Sequence, residues 1–327
     1  MVLLLIVLLL LLAFLSLFLG RYTVSPWDVV EILAQKITGR SENTVNTTVI
    51  WDIRMPRILL AMLAGAGLSV SGAAFQGCFH NPLVSPDMLG VSAGAGFGAA
   101  LGILLTNETG AFTAGLSFAM GLSSVFLSWF LSRIRKDGGT LSLVLAGVIV
   151  SAVFNALISF VKLVADTDSQ LPAITFWLMG SLNGTTFRVL ASAVVPIAVG
   201  IGLLLAMRWQ INILTLGDDE ARSLGINPVR VRMLVIFCAT VITAATVMVA
   251  GIIGWVGLIV PNLCRMLVGA DHRKMMPVCC VTGAAFLLAV DLLARSATAM
   301  EIPLGILTAL IGAPFFALVY KKGDGEQ

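Results

Sequence analysis

The sequence predicts an all-α fold: a polytopic membrane helical bundle of about ten transmembrane helices, forming one domain over residues 1–327. Three observations predict it. Hydrophobic residues make up 58% of the chain and charged ones only 11%, and the mean hydropathy of +1.01 lies far above that of water-soluble domains. Apolar runs recur along the chain, separated by short polar punctuation, and about 20 apolar residues suffice to cross a bilayer.

The runs lie near 2–19, 57–78, 86–105, 111–132, 140–164, 189–207, 231–250, 256–267, 276–296 and 303–320. The first is too long for the apolar region of a typical signal peptide and lacks a small-residue cleavage site, so it reads as a membrane helix. No basic residue precedes it, which would fit a native N-terminus that extends further. After it, Ser25-Pro26-Trp27-Asp28 ahead of Val29, Val30, Ile32 and Leu33 predicts a capped, short interfacial helix. The second run starts at Arg54-Met55-Pro56-Arg57 and ends at Asn81-Pro82. The third is opened by Ser85-Pro86-Asp87, an acid at the positive end of a helix. Clustered glycines in these two runs (Gly65, Gly67, Gly72; Gly90, Gly94, Gly96, Gly98, Gly102) predict close helix crossings, with a path of variable width as the alternative.

Between the fifth and sixth runs, residues 166–188 are too many for a tight turn, and Phe176 and Trp177 beside Pro172 suggest a second interfacial helix. Between the sixth and seventh, a loop at about 215–229 carries Gly217-Asp218-Asp219-Glu220-Ala221-Arg222-Ser223-Leu224-Gly225. Acids at its start and Gly225 at its end bound a short helix with Ala221 and Leu224 expected on one face, the shape of a plug for another protein. The eighth run is short for a crossing, which predicts irregular backbone around Gly251, Gly254 and Gly257. In the ninth, Asp291 and Arg295 are spaced to pair on one helix face.

An even number of spans puts both termini on one side. Arg133, Arg135 and Lys136, then Arg208, Arg222, Arg230 and Arg232, then Arg265, Arg273 and Lys274, and the tail Lys321 and Lys322 share that side, which the charge bias makes cytoplasmic. Arg21, Lys36, Arg40, Arg54 and Arg57 fall outside against the bias, interleaved with Asp28, Glu31, Glu42 and Asp52. Two arginines within one turn on the outer face suggest pairing with carboxylates of an external partner. Gln76, an amide within a span, needs hydrogen-bond partners and suggests a contact across a dimer seam. Asn81-Pro82 and Pro261-Asn262, each downstream of a basic pair, also suggest an inverted internal repeat.

Several function classes are excluded by what the chain lacks. It has no GxxxxGK[ST] loop to cradle nucleotide phosphates, and no HExxH or paired acids within the spans. An enzyme is not expected, nor a cofactor. Cys78, Cys238, Cys264, Cys279 and Cys280 form no CxxC pair and read as small apolar fillers, while His80 and His272 stand far apart, so no metal site is expected. The net charge of +3 comes from short loops, with no long basic tract for nucleic acid. The rival transporter class, a carrier driven by protons or sodium, needs ionisable groups near the midplane, where only Asp291 and Lys162 approach.

Taken in order, the RMPR stretch at Arg54, the run from Ser71 through Gln76, Asn81-Pro82 and Ser85-Pro86-Asp87 to Gly90, the Ala221-to-Gly225 loop, Gly254-Trp255-Val256-Gly257 through Pro261-Asn262 to Arg265, and Asp291 through Glu301-Ile302-Pro303 resemble the FecCD family of ABC importer permeases. That family serves ferric siderophores, haem and cobalamin, and the resemblance covers nearly the whole chain. It implies a ten-helix permease in the bacterial inner membrane with both termini cytoplasmic. The implied partners are a second permease subunit in a homodimer, two cytoplasmic ATPases, an external substrate-binding protein and membrane lipid. It implies ATPase coupling through Ala221, Leu224 and Gly225, and docking of the binding protein by Arg54, Arg57 and Arg295. Gln76, Asn81, Pro82, Pro261 and Asn262 match its turn and gate motifs. His80 stands where the family commonly has Arg, and Asn262 where it commonly has His.

Overall fold

The computed structural model describes residues 2–20, 22–39, 44–134, 140–298 and 300–323. Arg21, Arg40, Glu42, Arg135 and Lys136, which entered the charge reading, lie outside the described residues. The helices are α1 (Val2–Phe18), α2 (Pro26–Ile37), α3 (Val45–Thr47), α4 (Met55–Phe79), α5 (Val91–Thr106), α6 (Ala111–Ser132), α7 (Thr140–Val164), α8 (Gln170–Leu178), α9 (Phe187–Ala206), α10 (Arg208–Leu214), α11 (Asp218–Ser223), α12 (Pro228–Ala250), α13 (Val256–Val268), α14 (His272–Ser296) and α15 (Leu304–Gly323). A π-helical stretch, Thr48–Arg54, joins α3 to α4, so the second apolar run is one continuous helix from Val45 to Phe79. Among the described residues, six segments can cross a membrane by length and composition: Val45–Phe79, α6, residues 141–164 of α7, α9, α12 and α14. Shorter apolar helices at α1, α5, α13 and residues 304–317 complete the ten runs seen in the sequence.

Helices form at both segments expected to be interfacial, α2 and α8. Ser25 caps α2 by accepting from the Trp27 N–H, with Pro26 in the first turn. Its Val29 and Ile32 turn inward while Trp27 stands exposed. The third run starts differently from the expectation: Pro86–Leu89 is a 3-10 turn, left-handed Gly90 follows, and the α-helix begins only at Val91.

Helix α4 is the centre of the bundle, with almost every side chain from Pro56 to Phe79 buried against α9, α12, α13 and α14. Its glycines admit neighbouring backbones. A Cβ at Gly65 would lie 2.2 Å from the Gly283 carbonyl of α14, and one at Gly72 would lie 1.9 Å from the Gly257 carbonyl of α13. Small residues thus set the crossings where no hydrophobic force favours one apolar neighbour over lipid. Gly94 and Gly98 of α5 do the same against the α6 backbone. The cysteines are free, four buried and Cys280 half-buried, as fillers should be.

Chain continuity breaks where glycines predicted it. Helix α12 stops at Ala250, residues 251–254 carry no helix, and Trp255, at a left-handed φ of 70°, opens the thirteen residues of α13. This irregular stretch lies against the end of α8 and the start of α15: Ser181 N–H donates to Ala250 O at its entry, a Cβ at Gly305 would lie 3.2 Å from the Ile252 carbonyl, and those two neighbours are joined by Leu304 N–H to Gly180 O and Gly305 N–H to Met179 O. Non-helical backbone is tolerated at membrane depth only where protein or water surrounds it.

Candidate functional site

Three clusters of polar side chains interrupt the apolar bundle. The first joins the C-terminal ends of α4 and α13. Gln76 is buried, and its Nε2 donates to Gly257 O at 3.4 Å while its Oε1 accepts from Arg265 Nη2 at 2.8 Å. Arg265 Nη1 also donates to Asn262 Oδ1 at 2.6 Å, and Asn262 Nδ2 donates to Pro82 O at 3.3 Å and Leu258 O at 2.8 Å. Asn81 Oδ1 caps the turn by accepting from the Leu83 N–H at 2.9 Å, and Pro261 is buried within α13.

Gln76 therefore finds its partners within its own chain, and the expected contact across a dimer seam is not needed to satisfy it. The two Asn/Pro pairs meet at one end of the bundle, whereas an inverted repeat would separate them. Arg265 had no assigned role, although its spacing of three residues from Asn262 on a helix was a usable signal. His80 sits beside this turn in the left-handed region, its ring Nε2 against the Leu214 carbonyl.

The second cluster is the 215–229 loop. Helix α10, which the apolar-run reading merged into the loop, packs Ile211 and Leu214 inward. Helix α11 follows with three acids in its first turn, favourable at a positive helix end, but its N-cap Gly217 supplies no side-chain cap. Asp218 pairs with Arg232 Nη2 of α12 at 2.9 Å, and Arg232 Nε donates to Cys78 O of α4 at 3.3 Å. The loop is thereby tied to the end of the central helix.

Ala221 and Leu224 do not share a face. Ala221 is fully buried beneath the loop, while Leu224 lies past the helix end and is 57% exposed. The helix has only six residues, so Leu224 adopts the non-helical backbone of its C-cap. Gly225 follows at φ 78° and turns the chain toward Pro228. Nearby, Asp271 caps α14, and the Arg273 side chain holds its carboxyl down to about 2.

The third cluster holds the arginines expected to face outward. Arg54, Arg57 and Arg295 are only 6%, 7% and 7% exposed. Arg57 donates from Nε to Asp291 Oδ1 at 2.9 Å and from both terminal nitrogens to Glu301, at 3.0 and 3.1 Å. Arg295 lies 3.6 Å from Asp291 Oδ2 and donates to Leu19 O at 2.9 Å and to Ser16. Arg54 donates to the carbonyls of Leu17 and Tyr22. Arg54 and Arg295 thus cap the negative C-terminal end of α1. Gly20 leaves them room, since a Cβ there would sit 2.9 Å from Arg54 Nη2.

The structure brings the three arginines together, but around acceptors of their own chain. The carboxylates expected from an external partner are, for Arg57, Asp291 and Glu301. The Asp291–Arg295 pair exists, yet Arg57 is the nearer partner of Asp291. No group of three or more His, Cys, Asp or Glu side chains suited to a metal ion occurs among the described residues.

Comparison with known proteins places this geometry in context. The model of the FecCD transport family matches residues 8–322. The molybdate import system permease protein MolB of Haemophilus influenzae is 43% identical, over 96% of this chain and 93% of that protein. The cobalamin import system permease protein BtuC of Halobacterium salinarum is 41% identical, over 92% and 80%. A solved inward-facing structure of a proposed metal-chelate type ABC transporter superimposes with a TM-score of 0.87 at 39% identity, covering 98% of both chains.

Proposed function

The chain belongs to the FecCD transport family of ABC importer permeases, and from that premise we propose that it carries a metal-bearing complex across the bacterial inner membrane. Energy comes from a separate ATPase, since the chain has no phosphate-binding loop of its own. A ferric chelate is the specific candidate. Similar proteins named for iron chelatin and hemin support it, at 38% identity in each case. The molybdate and cobalamin names extend the class to other metal-bearing cargo.

The observation that carries the mechanism is the 215–229 loop. It presents Leu216, Leu224 and Val229 exposed, while Ala221 and the Asp218–Arg232–Cys78 link fix it rigidly to α12 and α4. Apolar side chains held outward on an anchored loop suit docking on another protein. Motion of the ATPases would enter at Leu224 and Gly225 and reach α4 through Arg232. The end of α4 carries the Gln76–Arg265–Asn262 network, which in this reading gates the cytoplasmic end of the path. Arg54, Arg57 and Arg295 serve external docking from beneath, by holding the outer ends of α1, α4 and α14 in register. Both termini are cytoplasmic in this arrangement.

A second permease subunit completes the path. Helix α7 leaves Asn155 and Ser159 exposed along a span, and the Asn155 carboxamide has no partner among the described residues. A bare amide facing hydrocarbon is unfavourable, so this face suits a second copy of the chain or a water-filled path.

Replacing Leu224 with Asp tests the coupling assignment. The expected result is loss of co-purification with the ATPase, with the permease still folded and monodisperse. A complex that forms and transports normally would refute that role for Leu224.

A further inference from the structure

Helix α14 is capped by a residue from another element. Its N-cap Asp271 accepts from the Arg273 N–H, which leaves the N–H of His272, the first helical residue, without a partner in the helix itself. Asn212 of α10 supplies one: its Oδ1 accepts from the His272 N–H at 2.8 Å. The two residues stand 60 positions apart in the chain, so the bond ties two elements together.

The same two elements share a socket on α4. A Cβ at Gly77 would lie 2.7 Å from His272 Nε2 and 2.7 Å from Ile211 Cγ2, so the imidazole of α14 and the isoleucine of α10 both rest on bare α4 backbone, and both are buried. Two residues past Asn212, the Leu214 carbonyl meets the His80 ring at the end of α4, and the chain then enters the 215–229 loop. Within α14, Pro277 has no N–H for the Arg273 carbonyl. The first turn of α14 is therefore held less by its own helix and more by α10 and α4.

We propose that Asn212 is a positioning residue that passes displacement of the 215–229 loop into the first turn of α14, along a line separate from the Arg232–Cys78 link to α4. The proposal rests on the reading above that this loop receives the ATPase. Geometry carries it: α10 leads directly into the loop, and its one side-chain bond to another element is the Asn212 bond to His272 among the described residues. The 25 residues of α14 span about 37 Å, and its far end holds Asp291 and Arg295 of the arginine cluster. One helix thus joins the loop side of the bundle to that cluster.

Hydrogen exchange read by mass spectrometry tests it, on the assembled permease–ATPase complex in lipid nanodiscs with and without a non-hydrolysable ATP analogue. In the natural protein the analogue is expected to change exchange at both 215–229 and 271–276. Asn212→Leu removes the acceptor and should cut the change at 271–276 by roughly fivefold or more, while the change at 215–229 persists. Asn212→Asp keeps an acceptor oxygen at the same reach, beside a positive helix end, and should restore the response. The same change at 271–276 in Asn212→Leu overturns the proposal, and so does a natural protein in which the loop responds and 271–276 does not. A loop that ignores the analogue in the natural protein would instead overturn the reading of the loop, and the proposal with it. Asn212→Ser, too short to reach the His272 N–H and adding no bulk, should behave as Asn212→Leu does. Failure of both variants to assemble with the ATPase would assign Asn212 to stability alone and overturn the proposal.

Discussion

Asp291 has no exposed surface, and a carboxylate in such a place needs compensation that outweighs its lost hydration. Arg57 Nε at 2.9 Å and Arg295 Nε at 3.6 Å supply it, and Glu301 engages the other end of Arg57. Removing one partner leaves a buried charge unmatched, at roughly 3 to 5 kcal/mol. Asp291→Ala should therefore lower the thermal stability of the detergent-purified protein markedly, because it leaves two guanidiniums facing each other. Unaltered stability would show that the cluster does not hold the bundle. Part of this cluster was legible in the sequence, because Asp291 and Arg295 are neighbours on one helix face. The Arg57 contact was not, since it joins residues 234 positions apart. The outward orientation expected of the arginines failed to appear for the same reason: charge bias locates a residue near an end of the bundle, not the direction of its side chain.

Helices were the most legible level. Apolar runs separated by punctuation marked ten helices, and the glycines at 251 and 254 marked where a crossing would break, while Gly257 lies inside α13, because missing side chains and lost periodicity are local properties. The π-helical stretch before α4 and the separate helix α10 carry no comparable local mark. Their geometry follows from what packs against them, as Ile50 and Ile211, both fully buried, illustrate. Crossing distances were anticipated in kind, since clustered glycines imply close approach, but not which helix approaches. The α4–α13 crossing is the tightest of these, with the Gly257 carbonyl where a Cβ on Gly72 would stand. Gly72→Val should force the two helices apart, separate Gln76 from Gly257 and Arg265, and sharply reduce the yield of folded protein. Recovery of normally folded, transport-competent Gly72→Val would mean that the crossing is not built on this contact.

For the molecule as a whole, the proposed coupling follows a line of bonded contacts: Arg232 connects the 215–229 loop to the end of α4, and the Gln76–Arg265–Asn262 network joins α4 to the end of the broken α12–α13 pair. Asp291, the one fully buried acid among the described residues, is held by two arginines, as a structural group is and a proton carrier need not be. An ABC importer permease with a structural Asp291 should consequently work on ATP alone. The most direct measurement is cargo uptake by proteoliposomes holding the permease, its ATPase and its binding protein, with ATP held constant and the proton gradient collapsed by an uncoupler. The account predicts uptake that stops without ATP and continues at an unchanged rate with the uncoupler. Uptake that persists without ATP, or that the uncoupler abolishes while ATP is constant, would contradict it.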